Sequence, residues 1–94
     1  MITLHWSSRF KRAFTHKSKH SPDVREKIVN ALRLLENNPY DPMLKTHKLH
    51  GLFKGSLACS VEYDIRIVFE FVINPITNQE EILLNDIGTH EEVY

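Results

Sequence analysis

The sequence is poor in the residues that define several large protein classes. One cysteine, Cys59, stands alone in 94 residues, so no internal disulfide can form. This fits a chain that works in a reducing compartment. Three glycines leave no glycine-rich phosphate loop, and neither a Gly-x-Ser-x-Gly elbow nor a dinucleotide-binding fingerprint occurs. The common nucleotide-binding and hydrolase readings fall away. No Cys-x-x-Cys spacing is present, and a strand would turn His47 and His50 to opposite faces, so neither a metal nor another cofactor is expected. The most apolar stretch, Ile65 to Ile73, is broken by Arg66 and Glu70, far short of the roughly 18 uninterrupted residues of a membrane span. The N-terminus is apolar before it is basic, the reverse of a secretion signal, and a cytoplasmic location is expected.

Hydrophobic residues at 41% and charged residues at 26% suit one globular domain covering residues 1–94. The net charge is zero but unevenly distributed. Residues 1 to 60 hold 11 Lys and Arg against 4 Asp and Glu, while residues 61 to 94 hold 1 against 8. A basic half beside an acidic one fits either a polyanion-binding face or two halves that interleave on folding.

The pattern along the chain predicts a strand over residues 1 to 6, then a helix that Ser7 or Ser8 can cap, with Phe10, Ala13 and Phe14 as its apolar stripe. The run Ser21-Pro22-Asp23 starts a second helix. Its stripe is Val24, Ile28, Ala31, Leu32 and Leu35, and it ends before Asn37-Asn38-Pro39. The pattern then alternates. Leu57, Cys59, Val61 and Tyr63 face one way, and Ala58, Ser60, Glu62 and Asp64 the other. A turn near Asp64 leads to a strand over Ile65 to Ile73, and a last strand from about Glu81 to Ile87 is closed by Gly88. The order is β-α-α-β-β-β-β. It describes an α+β fold in which an N-terminal strand and two helices pack with a mostly antiparallel sheet.

Polar groups that could move protons stand at strand ends: His47, the pair Glu62 and Asp64, and His90. Imidazole titrates near neutral pH and a neighbouring carboxylate orients and charges it, but scattered surface histidines have the same spacing. Arg66, inside an apolar strand, fits an internal ion pair with Asp64 or a cation aimed at phosphate. Lys45, Lys48 and Lys54 fit solvated lysines or phosphate contacts.

Three segments together carry a resemblance. They are Lys45-Thr46-His47-Lys48-Leu49-His50-Gly51, Val61-Glu62-Tyr63-Asp64-Ile65-Arg66-Ile67-Val68-Phe69, and Gly88-Thr89-His90-Glu91-Glu92-Val93-Tyr94. In this order they resemble the RelE/ParE toxin superfamily, in particular its YafQ-like branch of type II toxin-antitoxin systems. The resemblance implies a RelE-like fold and a ribosome-dependent mRNA endoribonuclease that works without metal and is held in check by an antitoxin. It assigns proton transfer to His47, Asp64 and His90, and charge stabilisation at the phosphate to Arg66. Lys45, Lys48 and Lys54 would contact RNA, with Glu62 in support. The antitoxin would dock across the helices or an open sheet edge. In one departure, Ser60 stands where YafQ-like toxins carry a further histidine, and a hydroxyl does not exchange protons near neutral pH. The alternative is a binding module of the same fold, either a ParE-like gyrase inhibitor or a decayed toxin that binds antitoxin and assists repression.

Overall fold

The computed structural model describes residues 1–51, 55–62 and 64–93. Each of the two long helices starts where a serine can satisfy a free backbone amide. Ser7 Oγ accepts from Phe10 N at 3.0 Å and opens α1 (Ser8–Ser18), after a short strand β1 (Leu4–Trp6). Ser21 Oγ accepts from Val24 N at 3.2 Å and opens α2 (Pro22–Asn37), with Pro22 in the first turn, where its missing N–H costs nothing. At the far end Asn38 N returns to Leu34 O at 2.8 Å, and Pro39 cannot extend the ladder. A single 3₁₀ turn, Pro42–Leu44, leads to the sheet strands β2 (His47–Lys48), β3 (Leu57–Glu62), β4 (Ile65–Ile73) and β5 (Glu80–Thr89). A one-turn helix, α3 (His90–Val93), follows directly.

The five strands lie in the order β1-β5-β4-β3-β2. Three pairings are antiparallel, while β1 runs parallel to β5 with Leu4 opposite Ile82, so the mostly antiparallel sheet is mixed at one edge. The helices cover one face. Phe10, Ile28 and Leu35 meet Cys59, Ile67, Phe69, Ile82 and Leu84 in a core whose members are almost solvent-free. Each large apolar side chain buried there contributes about 1.5–3 kcal/mol. Trp6 packs edge-on against Phe10 and Phe14, with ring centroids 4.9 and 5.1 Å apart, and anchors β1 to α1. A second, smaller core of Leu49, Ala58, Val68 and Val93 lies on the opposite face. No helix among the described residues is long and apolar enough to cross a membrane.

Three expectations change. The last strand runs on through Gly88 to Thr89, and α3 follows directly. Gly88 admits α3 rather than ending the strand, because a Cβ there would stand 2.8 Å from Val93 Cγ1 and 2.9 Å from Glu92 Cβ. The third concerns β3, where Ser60 pairs with Arg66 but Glu62 pairs with Ile65, so two residues oppose one. This bulge resets the alternation. Glu62, expected beside Ser60, instead turns toward the helical side, where its Oε2 accepts from Lys27 Nζ of α2 at 2.8 Å.

Candidate functional site

Cross-strand register defines the face opposite α1 and α2, onto which α3 packs through Val93. One row across it is His47, Ala58, Val68 and Asp86; the next is Ser60, Arg66 and Gly88. His47 and Arg66 thus share a face, two strands and one row apart, with Cα atoms about 12 Å from each other by ordinary sheet spacing. The residues between them are small, namely Ala58 and Ser60. Ala58 is fully buried in the second core with Leu49, Val68 and Val93, so that core forms the floor between the imidazole and the guanidinium.

His47 lies on the exposed edge strand β2 and its Nδ1 stands 3.0 Å from Lys45 O. A carbonyl only accepts, so this contact requires a proton on Nδ1. Lys45 has φ +51°, the left-handed conformation that turns its carbonyl back toward His47. Lys48 pairs with Leu57 and so faces the other way from His47. Lys54, Tyr63 and Tyr94 lie outside the described residues.

At the other end of the floor, Arg66 Nη1 donates to Glu62 O at 3.0 Å and to Ile65 O at 3.2 Å, which steadies the guanidinium against the β3–β4 turn. Asp64 sits in that turn, and its Oδ1 accepts from His90 N at 3.5 Å. Asp64, Arg66 and His90 therefore meet where β4 begins and β5 ends. His47 stands across the floor from them.

His90 opens α3, and the turn is capped reciprocally. Thr89 N donates to Glu92 Oε1 at 2.7 Å, and Glu92 N to Thr89 Oγ1 at 3.3 Å. Lys17 Nζ reaches the same Glu92 Oε1 from α1 at 2.8 Å. These two donors, Lys17 foremost, hold the Glu92 carboxyl down at about 2. Beside the pair lies a groove of about 540 Å³ lined by Arg9, Arg12, His16, Lys17, Asp86 and Glu92. Among the described residues no three His, Cys, Asp or Glu side chains converge as a metal site requires.

The sequence profile of the bacterial toxin of type II toxin-antitoxin systems, YafQ, matches residues 2–94. The chain belongs to the YafQ toxin family. A Haemophilus influenzae protein bearing the YafQ name is 26% identical over 94 residues, covering 97% of this chain and 90% of that one. Crystalline YafQ from Escherichia coli superposes with a TM-score of 0.78 at 21% identity, covering 100% of this chain and 99% of that one. In its complex with DinJ the score is 0.76, with the same identity and coverage. A YoeB/ParE toxin from Agrobacterium tumefaciens gives 0.77 at 16% identity, covering 95% and 99%. The fold is the RelE-like one.

In this YafQ-family chain, reading the sequence for chemistry passed over Lys17 and Glu92. The Thr89-x-x-Glu92 spacing is a capping signature visible in the sequence. Lys17, 75 positions earlier, has no local mark that ties it to the C-terminal turn.

Proposed function

We propose that this toxin is an mRNA endoribonuclease that acts on the translating ribosome with side chains alone. The observation that carries the reading is the approach of the Asp64 carboxylate to the His90 backbone amide, at the end of a sheet face that also bears Arg66 and His47. Cleavage of RNA by its own 2′-hydroxyl needs a base, an acid and a cation. The base removes the 2′-hydroxyl proton and the oxygen attacks the adjacent phosphorus. The bond to the 5′-oxygen then breaks as the acid protonates it, leaving a 2′,3′-cyclic phosphate and a 5′-hydroxyl. His47, Asp64 and His90 form the proton-transfer set, and Arg66 stabilises the charge that builds on the phosphate oxygens. Lys45, with Lys54, supplies contacts to the RNA backbone, while Lys48, turned away from His47, lies off that path.

E. coli YafQ is seen bound to DinJ. By the same logic we assign this chain a cognate antitoxin that covers its basic surface. One feature supports a second reading, a toxin reduced to binding its antitoxin: Ser60, which cannot move a proton, lies directly opposite Arg66 in the middle of the floor.

The test is expression of wild type and His90→Ala in cells, scored by growth and by cuts in translated mRNA. A nuclease arrests growth and cuts message, and His90→Ala loses both by about a hundredfold or more. Equal behaviour of the two proteins selects the binding reading.

A further inference from the structure

A single helical turn has no stability of its own, since forming it fixes several residues for one hydrogen bond. The place of His90 therefore depends on what tethers α3. Val93 is 1% exposed and packs in the second core, Gly88 lets the turn approach closely, and the 3.5 Å contact to Asp64 is too long to fix it. A further tether comes from the helical layer. Glu92 Oε1 receives Thr89 N from within the turn and Lys17 Nζ from α1, so one oxygen closes the cap and joins it to the first helix. The Lys17 side chain is only 21% exposed, well covered for a lysine. Arg9, Arg12 and His16 of α1 and Asp86 of β5 line the groove beside it.

We propose that Lys17 and Glu92 are positioning residues for His90: their ion pair, closed through the Thr89 cap, latches the terminal turn to α1 and fixes where the imidazole stands. The effect on activity rests on the nuclease reading given above, whereas the effect on the position of His90 does not. A one-ångström displacement of a catalytic group costs on the order of a hundredfold in rate, so a latch far from the chemistry still governs it.

The experiment uses the full chain as Lys17→Met, Lys17→Arg, Glu92→Gln and the double variant Lys17→Met/Glu92→Gln. The readouts are NMR signals of the Thr89 amide and the His90 ring, with kcat and KM for mRNA cleavage in a translating extract. Both side chains lie outside the cores, and circular dichroism checks that the sheet is intact.

The latch predicts that Lys17→Met and Glu92→Gln each shift and broaden the His90 ring signals and lower kcat about tenfold to a hundredfold with little change in KM. It also predicts that Lys17→Arg retains both and that the double variant is no worse than either single one. If Lys17 were instead a direct RNA contact, removing the neighbouring carboxylate would tighten binding. A lower KM in Glu92→Gln with unchanged His90 signals thus overturns the proposal. Should the wild type cut no RNA, the nuclease reading fails, and the His90 signals alone decide the latch: unaltered signals in Glu92→Gln sink it.

Discussion

Glu92 shows how much one oxygen can hold. With its carboxyl kept at about 2 by Lys17 and the Thr89 amide, it stays ionised in the folded chain far below the pH at which a free glutamate protonates, about 4.3. A depressed carboxyl adds stability that is fully present above the unfolded value and is lost as pH falls through the folded one. Because the side chain is 55% exposed and water screens the pair, the contribution is about 1 kcal/mol at most. Denaturation of wild type and Glu92→Gln should therefore differ by about that much at pH 7 and converge between pH 4.5 and pH 2, with the gap closed at the acid end. Cys59 gives a second test. Fully buried, its thiol is pushed up to about 12 by loss of solvent, so a thiol reagent should label it only as fast as the chain unfolds. The core role of Cys59 was legible from its alternation with Leu57 and Val61. The orientation of Glu62 was not, because alternation assumes one residue opposite one, and the β3 bulge breaks that count.

At the scale of elements, both long helices could be read from their caps and stripes, since Ser7 and Ser21 act within three residues of themselves. The terminal turn was harder. Four residues carry no helical period, and Gly88 reads as a strand end when its neighbours in space are unknown. Its true constraint is steric, with Val93 and Glu92 standing where a Cβ would go. Gly88→Ala should push α3 away from β5 and cost about 1–3 kcal/mol, read as a lower melting temperature. Cleavage should fall further than stability, because the sheet survives while His90 moves. His47 and Arg66 were legible as candidates singly. That they share a face across small residues depended on the register of three strands, which local pattern leaves open.

Across the whole molecule, the feature least visible in the sequence is the parallel pairing of β1 with β5, which joins position 4 to position 82. Nothing in either segment names the other. β5 lies between β1 and β4, and its Ile82 and Leu84 are fully buried, so it completes the main core as well as the sheet. A fragment of residues 1–79 should keep some helical signal but unfold without a cooperative transition, whereas the full chain unfolds in one step. Contacts this distant in sequence also slow folding, toward milliseconds to seconds. The order of synthesis then matters. During translation β1 waits, unpaired, for a strand made much later, and the residues around His90 have no platform until that strand arrives. The turn that carries His90 is therefore among the last parts of the described structure to take its place.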